Sequence, residues 1–128
     1  METKEIFRKR KTINIDIFNY NLIIVIGEAN DMPKGNLRNH LKFSLENKRS
    51  KGKSSTVCLD YNKKTYFYIF IDGSMKKELI YEALFHELDH QKFRLMERKK
   101  IKDSETSAYI TSYFARNVKE IVKELLTI

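Results

Sequence analysis

Tyr81-Glu82-Ala83-Leu84-Phe85-His86-Glu87-Leu88-Asp89-His90 is the stretch that decides how the rest of the chain is read. It carries two of only three histidines in the sequence, four positions apart. On a helix, side chains at i and i+4 leave the same face one turn from each other. Two imidazoles so placed suit a single Zn²⁺, and Glu87 beside them is positioned to hold a water against the ion. Leu79, Ile80, Ala83, Leu84 and Phe85 form an apolar helical run leading into the pair. The plain alternative is a solvent-exposed helix that happens to carry two histidines, and the scarcity of histidine counts against it.

Working outward, Asp72-Gly73-Ser74 ends a strand and offers Asp72 or Ser74 as a cap, so the motif helix is expected over about Met75 to Arg98. Upstream, Thr56-Val-Cys-Leu59 and Thr65-Tyr-Phe-Tyr-Ile-Phe-Ile71 flank Asp60-Tyr-Asn-Lys-Lys64 and read as a β-hairpin. Phe67, Ile69 and Ile71 share one face of its second arm, and Tyr66, Tyr68 and Phe70 share the other. Both faces carry large side chains, so both need cover. Downstream, Lys99 to Asp103 is a short connection. Asp103 or Ser104 then caps a helix carrying Glu105, Ala108, Tyr109, Ser112, Tyr113, Val118, Ile121, Val122 and Leu125, antiparallel to the first.

Nearer the N-terminus, residues 1–11 read as a polar leader. Ile13-Asn-Ile-Asp-Ile17 alternates, and Leu22-Ile-Ile-Val-Ile26 is a continuous apolar strand, so the two form a hairpin or bent pair. Asp31-Met-Pro33 opens a helix that includes Leu37, His40, Leu41 and Leu45. Asn47 through Ser55 is a basic loop.

The 128 residues, 41% hydrophobic with eight Phe and seven Tyr, suit one folded domain over 1–128. No apolar run approaches membrane-spanning length and no signal-peptide core follows Met1. The single cysteine, Cys58, permits no internal disulfide and fits a reducing compartment, so a cytoplasmic protein is expected. The formal charge is +8, from 25 basic and 17 acidic residues. That balance favours acidic partners. No nucleic-acid motif accompanies it, so nucleic acid is the less favoured partner.

A catalytic zinc takes three protein ligands and leaves a position for water. With His86 and His90 as two, the candidates for a third are His40, Cys58, Asp89 and Glu105. Asp89 points about 100° away from the histidine face. Cys58 reads most simply as a small buried side chain. Glu105 reaches the ion only if its helix crosses back near the middle of the motif helix. Tyr109, Tyr113 and His40 are candidates for stabilising charge on a reacting oxygen. The tyrosines read equally as packing beside the motif helix, and His40 as a surface residue. Asp89 and Asp103 are candidates for accepting the second N–H of a ligand imidazole.

His86-Glu87-Leu88-Asp89-His90 followed by Glu105-Thr-Ser-Ala108-Tyr109 resembles the gluzincin class of zinc metallopeptidases. With Asn19-Tyr-Asn-Leu-Ile-Ile-Val-Ile-Gly-Glu28 and the run from Glu105 to Tyr113, it is similar to small zincin-like proteins encoded by phages and prophages. The resemblance covers roughly residues 13–115 and is carried mainly by the two-helix metal module. It implies a zinc cofactor, His86, His90 and Glu105 as ligands, and Glu87 as general base. It assigns no substrate. The implied fold is α+β and zincin-like: a small antiparallel or mixed sheet against a long HExxH helix, with a second antiparallel helix and one N-terminal helix.

The expected function is hydrolysis of a peptide bond in a narrow intracellular substrate, with Glu87 and Tyr109 as the catalytic side chains. The alternative is a catalytically inactive zincin-fold protein that binds an acidic protein or nucleic acid through its basic surface.

Overall fold

The long β-branched and aromatic runs of the first 72 residues pair into one sheet, and the helical sequence that follows packs across it. The computed structural model describes residues 6–15, 18–32, 34–35, 38–39, 54–61 and 63–127, with the backbone alone at Leu59 and Tyr61. Strands β1 (Lys9–Ile15), β2 (Tyr20–Gly27), β3 (Ser54–Tyr61) and β4 (Lys64–Asp72) form a four-stranded sheet in the order β1-β2-β4-β3. The β1–β2 and β3–β4 pairs are antiparallel, and β2 and β4 are parallel. Three helices follow: α1 (Lys77–Arg98), α2 (Ser104–Asn117) and α3 (Lys119–Leu126). The protein is thus α+β with a small mixed sheet. Among the described residues no helix is long and apolar enough to cross a membrane.

Alternation along the strands sorts side chains onto the two faces. Ile13, Leu22, Ile24, Ile26, Phe67, Ile69 and Ile71 face the helices and meet Ile80, Leu84, Leu88 and Leu95 of α1 in the main core. Ile23, Val25 and Phe70 face the other way, packed with Met32. The register sets Ser54, Thr56 and Cys58 of β3 opposite Ile71, Ile69 and Phe67, so these small polar side chains also lie on the helix side.

Three local expectations are corrected. Lys9, Arg10 and Lys11 belong to β1 and not to a leader, because they pair with Ile26, Val25 and Ile24. Asp72 does not cap α1; its Oδ1 accepts from Ser74 N at 2.9 Å and Ser74 Oγ at 2.7 Å, and the helix begins at Lys77 without a side-chain cap. The last helical run is broken at Val118 into α2 and α3. There Asn117 Nδ2 donates to the Tyr113 carbonyl at 2.9 Å, competing for the acceptor a straight helix reserves for its own N–H.

The helix expected after Asp31 falls largely on residues outside those described. At its start, Ala29–Asp31 make a single 3-10 turn in which Asp31 Oδ2 accepts from Glu28 N at 2.8 Å.

The turn between α1 and α2 is tight. Lys100 adopts a left-handed φ of 55°, Ile101 N reaches back to Met96 O at 2.8 Å and Lys100 N to Glu97 O at 3.1 Å. That six-to-one and five-to-two pair is a Schellman ending, with half-buried Ile101 as its apolar contact. Asp103 then caps α2, accepting from Thr106 N at 2.8 Å and Thr106 Oγ1 at 2.7 Å. Those donors hold its carboxyl below the usual range.

Candidate metal centre

Helix α1 lies along the sheet with three flanks of different character. Ile80, Leu84, Leu88 and Leu95 enter the core, Glu87 and Gln91 are buried beside them, and His86 and His90 are exposed. The buried polar flank follows the edge strand β3. At one end Ser54 Oγ donates to Glu87 Oε1 at 3.0 Å. At the other, Arg98 Nη2 lies 2.7 and 2.8 Å from the two Asp60 oxygens. From Ser54 to Asp60 the strand advances about 20 Å, and from Glu87 to Arg98 the helix advances about 16 Å, so the two run side by side in the same sense.

The two imidazoles converge. His86 Nε2 and His90 Nε2 are 3.1 Å apart, with ring centroids 4.6 Å apart and planes at 86°. Two nitrogens each about 2.0–2.1 Å from one zinc at a tetrahedral angle are separated by about 3.3 Å. The pair therefore fits two positions of one tetrahedral ion. The same spacing also suits one neutral ring donating a hydrogen bond to the other.

Among the described residues no group of three His, Cys, Asp or Glu side chains is placed to hold a metal ion. Glu105 is exposed in the first turn of α2. Lys92 Nζ contacts Thr111 Oγ1 at 3.2 Å, so α2 runs back along α1 with Glu105 toward the Arg98 end.

The other candidates are also accounted for. Asp89 is exposed and pairs with Lys92 at 3.2 Å, and Asp103 is the cap of α2. Cys58 is half-buried, its thiol pushed up by burial, with Arg98 Nη1 3.5 Å from Sγ. Tyr109 is 75% exposed and lines an apolar cavity of about 430 Å³, away from the histidines. Tyr113 Oη donates to the Asn14 carbonyl of β1 at 2.8 Å, so it ties α2 to the sheet. His40 lies outside the described residues.

Two residues that sequence reasoning passed over belong to this region. Ser54 holds the Glu87 carboxylate, and Gln91 is fully buried with neither amide atom hydrogen-bonded among the described residues. The signal for Ser54 was the run of small polar residues Ser54, Thr56 and Cys58 at alternate positions, on a face where an aliphatic strand is expected. Gln91 had a weaker one: it is four residues from Glu87, on the same flank.

Comparison with protein-family models, with curated proteins and with solved structures gives no match to this chain.

Proposed function

We propose that the chain is a zincin-like, zinc-dependent hydrolase that cuts a peptide bond in a narrow cytoplasmic protein substrate. The observation that carries the reading is the 3.1 Å approach of His86 Nε2 to His90 Nε2, with a buried carboxylate on the same turn. His86 and His90 would hold the ion, which when bound polarises a carbonyl and acidifies water. Glu87 is the proton carrier: it accepts from the attacking water and passes the proton to the leaving amine. Glu87 is 1% exposed and held by Ser54, so it must turn from that partner toward the histidines to meet the water. Strand β3 lies at the edge of the sheet beside this helix and offers main-chain hydrogen bonds to an extended peptide. The test is zinc-loaded protein incubated with a mixed peptide library and read by mass spectrometry. Wild type is expected to cut and Glu87→Gln to retain zinc without cutting; persistent cutting by that variant contradicts the assigned base.

A second reading is favoured by the exposed position of Glu105, since the described residues gather two ligands and not three. In it the same fold binds an acidic partner through its +8 surface without catalysis. It requires salt-sensitive binding that Glu87→Gln leaves intact.

A further inference from the structure

A second feature lies next to the histidines, in a cleft of about 330 Å³ between α1 and α2. Phe85, Leu88 and Phe114 line it with apolar surface, Lys92, Thr111 and Asp89 give it a polar wall, and His86 borders it. We propose that this cleft is a carboxylate-binding subsite anchored by Lys92, taking either the C-terminal carboxylate or an Asp/Glu side chain of a peptide. The proposal rests on the reading of His86, Glu87 and His90 as a peptide-handling centre.

Lysine side chains ordinarily extend into water. That of Lys92 is only 12% exposed. Its ammonium is held in place by Thr111 Oγ1 at 3.2 Å and Asp89 Oδ1 at 3.2 Å, and it sits 5.0 Å from the Phe93 ring centroid. An ammonium has three N–H donors, and these two oxygens occupy two of them. Among the described residues the third has no oxygen partner.

Asp89 is the natural competitor. Its side chain is 56% exposed, however, and pairs of that kind contribute little. A ligand carboxylate entering the cleft therefore has only a weak, exposed pair to displace from the same cation. The surplus positive charge of the chain draws acidic ligands toward it. His86 borders the same cleft as Lys92, so a carboxylate held there leaves the adjoining backbone of its peptide beside His86.

The experiment uses the full chain carrying Glu87→Gln, with and without zinc. Three fluorescein-labelled hexapeptides are compared by anisotropy: one with a free C-terminal carboxylate, the same peptide amidated, and an amidated peptide with one internal Glu. A carboxylate-bearing peptide is expected to bind roughly tenfold tighter than the neutral one, the order of a charge-assisted hydrogen bond in a partly enclosed site. Preference for the free terminus or for internal Glu identifies the source of the carboxylate, and either supports the subsite. Lys92→Met should abolish the preference, Lys92→Arg should keep it, and Asp89→Asn should strengthen it by removing the competitor.

Equal binding of all three peptides, or a preference untouched by Lys92→Met, overturns the proposal. A Lys92-dependent preference that is identical without zinc keeps the subsite and counts against the metallopeptidase reading. Zinc-dependent binding with no charge preference overturns the subsite and leaves that reading standing.

Discussion

Ser54 Oγ on the edge strand donates to Glu87 Oε1 on the motif helix at 3.0 Å, with both residues buried. One side chain from the sheet thus fixes the carboxylate that lies between the two histidines in sequence. Without such a donor, burying a carboxylate is costly. Ser54→Ala is therefore expected to destabilise the fold by about 0.5–1.5 kcal/mol, the net range for one hydrogen bond. Urea unfolding measures it; an unchanged midpoint contradicts the role given to Ser54.

The link between Tyr113 and β1 spans 99 positions of sequence and ties α2 to the far side of the sheet. Tyr113→Phe removes the donor and keeps the ring. A loss of about 0.5–1.5 kcal/mol is expected. Faster amide exchange confined to α2 would locate the effect there.

Gly73 has no room for a side chain. A Cβ at this position would overlap the Phe7 carbonyl oxygen and stand 3.1 Å from Gly27 Cα, both backbone atoms. Gly73 also joins both segments, donating to Gly27 O at 2.9 Å and accepting from Phe7 N at 3.0 Å. Gly73→Ala should cost about 1–3 kcal/mol, as overpacking against atoms that cannot rotate away does. Thermal melting reads it, and a wild-type midpoint would contradict it.

The Asp60–Arg98 pair makes stability depend on acid. Hydrogen bonds from Arg98 first, then Thr65, hold the Asp60 carboxyl below its ordinary value. A carboxyl depressed in the folded state stabilises it above the unfolded pKa of about 3.9 and loses that contribution as pH falls through the lower folded value. The gap in melting temperature between wild type and Asp60→Asn should be constant above about pH 5 and close below about pH 4. A gap that widens in acid contradicts the assignment.

These positions also indicate how far the sequence could be read. The hairpin of β3 and β4 and the two-faced pattern of Phe67, Ile69 and Ile71 against Tyr66, Tyr68 and Phe70 were legible, because a period of two admits one arrangement of faces. The apolar stripe of α1 was legible for the same reason at its own period. Where α2 would cross α1 was not. That depends on Lys100 adopting a left-handed φ, a geometry favouring glycine, which no local signal at a lysine announces. The break at Val118 was hidden likewise, since the apolar spacing runs on through it and only the Asn117 side chain marks the change.

The central claim is that His86 and His90 share one divalent cation, and isothermal titration of the metal-free chain with ZnCl₂ tests it most directly. The account predicts one zinc per chain, with His86→Ala and His90→Ala each weakening binding by at least about tenfold, as loss of a ligand requires. Absence of zinc binding, or binding that neither substitution weakens, would contradict it.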